Sequence, residues 1–190
     1  VAVDYEYRAV PLFMQAARLL QAGAVGTPWL VKLDWLMGSR ADPQRGWNWY
    51  AQADQGGGVI GALGTHAVDM LAWLIGPLGA VQALHGVSIN QRPHPDGGLA
   101  AVDAPDVSLL QTVAHWQGRQ DLPVPAQVSL SSVSRNGRGF CLDVVGSSGS
   151  LMLSSTNQKD YVHGFELQHA PLGEPFRAVE ADADLAYPQT

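Results

Sequence analysis

Two different periods of hydrophobic residues divide the chain into a helical first part and a strand-rich remainder. Pro11 can begin a helix, because the N–H that proline lacks would have no partner at the first helical position. Apolar residues then recur at helical spacing until Gly23, a residue typical of a helix end. A second helical run is predicted over residues 62–75, and Gly76 followed by Pro77 ends it.

Alternation of apolar and polar residues predicts the strands. Trp29, Val31, Leu33 and Trp35 occupy one side of the clearest strand, residues 29–35. The other predicted strands are residues 81–88, 107–116, 127–134, 140–145, 151–153 and 161–169.

The order of these elements predicts an α+β fold. Two helices come early and a meander of strands follows, which indicates an open, largely antiparallel β-sheet with helices packed on one face. Asn136 and Gly137 tolerate the positive φ of a type I′ turn, so they predict a hairpin between the strands at 127–134 and 140–145. The chain has 190 residues and no internal repeat, so residues 1–190 are expected to form a single domain.

Composition narrows the possible partners and the location. Charged residues make up 15% of the chain, against about 25% in average domains, which indicates that another surface covers part of this one. The net charge of -6 and the absence of a Lys/Arg cluster argue against nucleic acid. No run of 18 or more apolar residues exists, so no membrane span is predicted. Cys141 is the only cysteine and fits a reducing, cytoplasmic location.

A long irregular segment, residues 37–55, precedes the second predicted helix. It has no clear period but carries several aromatic and guanidinium side chains, and a segment of this kind is often functional. Indole faces stack on sugar rings and arginine binds oxyanions, so the candidates for substrate contact are Arg45, Trp47 and Trp49.

His66 and Asp69 lie directly after this segment and share one face of the second helix. The glycines at 56–58 allow a ligand to approach the backbone closely. The helix dipole favours a neutral imidazole that acts as a base, whereas Asp69 would stabilise the imidazolium, and the sequence leaves both open, together with a simple surface pair. No further cluster of His, Cys or Glu completes a metal site, so no metal is predicted.

Four segments of the sequence together resemble one family. Residues 56–69 resemble a Gly-rich turn that leads into a helix with Asp, Gly, His and Asp at fixed spacing. Residues 5–11 resemble an Asn-Tyr-Arg-Phe-x-Pro domain entry, residues 21–26 a Gly-x-Ile-Gly turn, and residues 146–151 a Gly-Thr-x-Gly-Ser-Leu turn. In this order they resemble the second domain of the Gfo/Idh/MocA oxidoreductases, the glucose-fructose oxidoreductase and inositol dehydrogenase family.

The resemblance implies a hydride transfer between a substrate hydroxyl carbon and a nicotinamide. It gives His66 the position of the catalytic acid or base and Asp69 that of the aspartate that orients the substrate or the histidine. It also implies that Tyr7 and Arg8 line the substrate pocket. Gly57 and Gly58 are the positions at which this chain is expected to approach the cofactor.

Two departures from the family pattern limit what this chain is expected to do alone. Ala62 stands where the family often has an aspartate, four residues before the histidine. The family's catalytic lysine and Gly-rich dinucleotide turn belong to its first domain, and neither Lys32 nor Lys159 lies in the corresponding motif. NAD or NADP is therefore expected to be bound mainly by an N-terminal Rossmann domain outside this chain, and the 190 residues alone are expected to be inactive.

The sequence thus predicts the substrate-binding and oligomerisation domain of an NAD(P)-dependent dehydrogenase. The substrate would be a sugar, a polyol or a related hydroxyl compound, and the expected partners are the protein's own Rossmann domain and further copies of the chain. The alternative is a non-catalytic sugar-binding or oligomerisation module with the same fold, and Ala62 is the residue that favours it.

Overall fold

A mixed, mostly antiparallel sheet organises the computed structural model, which describes residues 3–159 and 162–186. The helices α1 and α2 are Pro11–Gln21 and Thr65–Leu74. The strands are β1 Pro28–Leu36, β2 Leu78–Gly86, β3 Gln91–Pro93, β4 Leu99–Ala101, β5 Val107–His115, β6 Pro123–Ser131, β7 Gly139–Gly146, β8 Gly149–Ser155, β9 Glu166–Pro171 and β10 Arg177–Val179. The predicted α+β class, with an open sheet and helices on one face, is confirmed.

The sheet has eight strands in the order β10-β9-β8-β7-β1-β6-β5-β2, and β3 with β4 forms a separate pair. β1 lies in the middle, parallel to β6 and antiparallel to β7. The predicted hairpin between β6 and β7 is therefore wrong. Asn136 has the expected positive φ of 55°, but the turn leads across β1. A turn signal is local, whereas the pairing partner depends on burying β1, whose Val31 and Leu33 are completely buried.

Several boundaries differ from the pattern. β3 and β4 lie between residues 90 and 105, where no strand is predicted. The strand predicted at 161–169 is Glu166–Pro171, and its predicted first residue lies outside the described residues. β10 had no strong alternation to predict it, since only three residues form it.

Both predicted helices are present. α1 buries Phe13, Ala16 and Leu20 against the sheet, and Gly23 follows it with a φ of 79°. The second helical region begins earlier than predicted, because a π-helical turn, Ile60–Gly64, precedes α2 and joins it without a break. This irregular turn determines the direction in which the first residues of α2 face.

The helical region Ala53–Leu74 is, by length and composition alone, apolar enough to cross a membrane. In the fold it consists of successive 3-10, π and α segments rather than one regular helix. Three of its own residues, Val59, Ala67 and Met70, are completely buried. Such burial is typical of the core helix of a globular domain, so the composition is weak evidence for a membrane location.

The two faces of the sheet differ in what covers them. The face beneath the helices is a continuous buried core that includes Leu33, Leu130 and Leu142. On the opposite face, the strand registers place a row of partly exposed apolar side chains, Leu30, Leu84, Leu109, Val113 and Val145. No described element of this chain covers that row.

Candidate functional site

A cavity of about 230 Å³ lies between the start of the chain, the end of β1, the irregular segment and the π-helical turn. Four aromatic side chains line it: Tyr7, Trp35, Trp49 and Tyr50. The polar side chains on its wall are Glu6, Ser39, Arg40, His66 and Ser132. Aromatic surfaces with a few converging polar groups are typical of a site for a small polar ligand.

His66 lies in the first turn of α2, and its ring is held between aromatic neighbours. The rings of Tyr7 and Tyr5 meet it edge-on, with centroids 5.3 and 5.7 Å away. Its side chain keeps 22% exposure toward the cavity. Its Nδ1 is buried and has no hydrogen-bond partner among the described residues. The nearest carboxylate oxygen is Oε2 of Glu6, at 3.8 Å.

Arg8 and Asp69 bind each other rather than facing the cavity. Nε and an Nη of Arg8 donate to the two carboxylate oxygens of Asp69 at 2.8 and 2.6 Å. These hydrogen bonds raise the pKa of Arg8 above its ordinary value. The pair joins the 3-10 turn Glu6–Ala9 to α2 and so holds Tyr7 and Glu6 beside His66. Neither predicted residue lines the cavity, so direct substrate contact by this pair stays a prediction without geometric support.

Of the three residues predicted in the irregular segment, one lines the cavity and two stabilise the segment. Trp49 lines the cavity, and its contact with a substrate stays a prediction. Arg45 donates to the carbonyl of Ser39 at 3.2 Å, and Trp47 Nε1 donates to the carbonyl of Ala101 at 2.8 Å. Both contacts stabilise the segment itself, and neither side chain reaches the cavity wall.

Sequence reasoning missed four polar residues of the cavity, Glu6, Ser39, Arg40 and Ser132. Arg40 lies over the ring of Tyr50 with its guanidinium carbon 4.2 Å from the centroid, and both residues belong to the irregular segment, residues 37–55. Glu6 occupies the position at which the resembled entry motif has Asn, and this substitution was the available signal.

Gly57 and Gly58 are explained by the packing of the chain. The amide of Gly57 donates to the carbonyl of Gln52 at 2.9 Å, and a Cβ there would lie 2.5 Å from the carbonyl oxygen of Trp49. Gly58 has a φ of 73° and lies against Pro105. Their contact with a cofactor stays a prediction. No group of three potential metal-ligating residues occurs in the described ranges.

Arg92 of β3 anchors the irregular segment from below. Its side chain is buried, and its guanidinium donates to the carbonyls of Arg40 and Asp42 at 2.6 and 2.8 Å. Burial lowers the pKa of this guanidinium because it penalises the charged form, and the charge of Asp106 acts in the opposite direction. A buried arginine that binds only backbone fixes the path of residues 38–47, and therefore the place of Arg40.

Comparison of the sequence with known families gives one match. The profile of the GFO/IDH/MocA C-terminal domain matches residues 13–152. An uncharacterized oxidoreductase from Synechocystis sp. is 43% identical over 192 residues, covering 100% of this chain and 50% of that protein. Levoglucosan dehydrogenase of Pseudarthrobacter phenanthrenivorans is 31% identical over 101 residues, covering 53% of this chain and 26% of that protein. The chain spans about half the length of the relative that it matches along its whole length.

Solved structures show the same fold. Apo levoglucosan dehydrogenase superimposes with a TM-score of 0.83 at 23% identity, covering 98% of this chain and 51% of that one. That enzyme has also been solved with NADH and levoglucosan. A super-repressor mutant of Gal80p from Saccharomyces cerevisiae superimposes with a TM-score of 0.76 at 15% identity, covering 95% of this chain and 48% of that one. Enzymes and a repressor therefore share this fold.

Proposed function

Since the chain belongs to the GFO/IDH/MocA family and corresponds to its C-terminal domain, we propose that it binds the substrate of an NAD(P)-dependent oxidoreductase. The substrate class is a sugar, a polyol or a related hydroxyl compound. One observation carries the proposal: His66 stands on the wall of a cavity lined by aromatic rings and polar side chains.

The cavity suits a small polyhydroxylated ligand. Its volume of about 230 Å³ is smaller than the range of roughly 300–1,000 Å³ typical of drug-sized ligands. Trp49, whose side chain is exposed, offers a face on which a sugar ring can stack. The guanidinium of Arg40 and the hydroxyl of Ser39 supply hydrogen bonds to ring hydroxyls. This combination favours a single sugar or polyol unit.

His66 supplies the proton chemistry. In the oxidative direction its imidazole accepts the proton of the substrate hydroxyl, and in the reductive direction it returns that proton. A bound nicotinamide supplies the acceptor or donor of the hydride. The described residues of this chain offer no phosphate cradle, since the Gly57 amide is already engaged and the net charge is -6. His66 and Trp49 would therefore face only the nicotinamide end.

The 190-residue chain by itself should bind NADH and NADPH only weakly. Dinucleotide affinity comes mainly from a Gly-rich turn at a helix N-terminus that holds the pyrophosphate, together with a carboxylate on the ribose. This chain forms only one wall of the cofactor cleft. Its contacts with the cofactor are therefore too few to offset most of the entropy that the cofactor loses on binding. Calorimetric titration of this chain with each cofactor measures the affinity. A dissociation constant in the low micromolar range would place the cofactor site in this domain and contradict the proposal.

The proposed activity is tested on the full-length protein. A screen of sugars and polyols with NAD and NADP, followed by absorbance of the reduced nicotinamide, should identify at least one substrate class.

The second candidate is a non-catalytic sugar-binding module, and two observations favour it: Ala62 is apolar on the cavity wall, and a repressor shares the fold. Sugar binding without turnover in the same protein would support that second function.

We propose that the sheet face opposite the helices, with its row of partly exposed apolar side chains, is the oligomerisation surface. Leu84 is 68% exposed and Leu109 lies opposite it in the neighbouring strand. Two-fold symmetric self-association is the commonest way to cover such a face.

Leu84→Glu should convert the oligomer to a monomer, because a charge would be buried at the contact, and light scattering measures the mass. Leu99→Glu changes a leucine of similar exposure outside this face and should leave the mass unchanged. An unaltered mass of the Leu84 variant would exclude this face.

A further inference from the structure

Glu6 is the acidic side chain among the residues that line the cavity, and its carboxylate faces the buried nitrogen of His66. We propose that Glu6 is the positioning residue for His66: it accepts the Nδ1–H of the imidazole and so leaves Nε2 unprotonated toward the substrate. The inference rests on the proposed function, since it assigns the residue that prepares the base of that reaction.

The distances show a pair that is close but not yet joined. Oε2 of Glu6 lies 3.8 Å from Nδ1 of His66, which is within ion-pair range and beyond a hydrogen bond. Nδ1 is buried and lacks a partner in the described part of the chain, so it gains by closing this gap. The Glu6 side chain is 43% exposed and therefore has room to move. Catalytic hydrogen bonds are often long without ligand and shorten when substrate excludes water.

The ring of His66 is restrained so that Glu6 meets the correct atom. Tyr5 and Tyr7 hold it edge-on at interplanar angles of 88° and 80°. These contacts restrict rotation of the imidazole, which keeps Nδ1 toward the 3-10 turn that carries Glu6. Which nitrogen bears the proton is then decided by the hydrogen bond that the other side of the ring makes.

The other charged groups near His66 are not available for this role. Both carboxylate oxygens of Asp69 accept from Arg8, so the negative charge three residues away in the sequence is already paired. Ala62 lies one turn before His66 on the cavity wall and offers no polar atom. The positive charge on the same wall is Arg40, which cannot accept a proton from Nδ1.

The first test measures turnover of the full-length protein with the substrate from the screen. Glu6→Ala should lower kcat by roughly 10- to 100-fold, the loss typical of removing a carboxylate that orients a metal-bound histidine, and leave KM nearly unchanged. Glu6→Gln keeps an acceptor oxygen and should restore part of this loss. Glu6→Ala combined with Ala62→Asp should regain turnover, because the aspartate enters the cavity one helical turn from His66. Glu174→Gln, an exposed glutamate remote from the cavity, is the matched control.

The second test records the ¹⁵N shifts of the His66 imidazole in the same full-length variants, with the ring neutral. The native protein should show the Nδ1–H tautomer, and Glu6→Ala should shift the population toward Nε2–H. An unchanged tautomer overturns the inference, even if turnover falls, because Glu6 would then act on the substrate directly. If the native protein oxidises no substrate but the tautomer shifts, the Glu6–His66 pair stands and the proposed oxidoreductase activity fails.

Discussion

His66→Ala in the full-length protein should lower kcat by about 10²–10⁴-fold, the contribution typical of a positioned acid or base. The imidazole lines the cavity and is the proton acceptor that we propose, and alanine removes it without altering the backbone of α2. The unfolding midpoint should stay close to that of the native protein, since the ring is packed at the edge of the core rather than within it. Steady-state kinetics and thermal unfolding measure the two quantities.

The matched control for this variant is His94→Ala. His94 lies in the turn between β3 and β4, contacts Trp47 and does not line the cavity, so kcat should not change. Native turnover in His66→Ala would remove His66 from the mechanism and would mean that another group accepts the proton. A parallel loss in both variants would indicate a general effect on folding instead.

Arg92→Met should destabilise the 190-residue chain by about 2 kcal/mol and lower its melting temperature by roughly 4–8 °C. The carbonyls of Arg40 and Asp42 lose their charge-assisted hydrogen bonds, while methionine fills the volume without replacing the donors. The desolvation of the guanidinium opposes part of this loss, which keeps the expected value modest for a buried charge. Because the anchored segment carries Arg40, the full-length variant should also show a raised KM with a smaller effect on kcat.

Arg177→Met provides the comparison for this stability effect. The Arg177 side chain is 73% exposed and pairs with Glu174 at 3.3 Å, and exposed pairs contribute little. Its melting temperature should match that of the native chain. An Arg92 variant that melts with the native protein would show that the irregular segment is held by its other contacts, such as the bond from Arg135 to the carbonyl of Ala41.

Local patterns were sufficient for the fold class and for the position of His66. β1 and α1 each bury one face. The resulting apolar periodicity is visible within a short stretch of sequence, so both elements could be predicted. The Gly-rich turn before His66 is also local, and the histidine lies on the helix that follows it, as predicted. The choice of glycine there reflects close packing of the chain against its own carbonyls, which the sequence could not distinguish from approach to a ligand.

The sequence by itself thus determined the elements, the α+β class and the histidine that faces the cavity. Only the tertiary structure decided that β1 separates β6 from β7, that Arg8 binds Asp69 across 61 positions of sequence, and that Arg92 holds a segment 52 positions away. It also brought Glu6 within 3.8 Å of His66. The physical reason is the same in each case: periodicity shows which face of an element is buried, but the partner that meets it is selected by global packing among residues with no local signal in common.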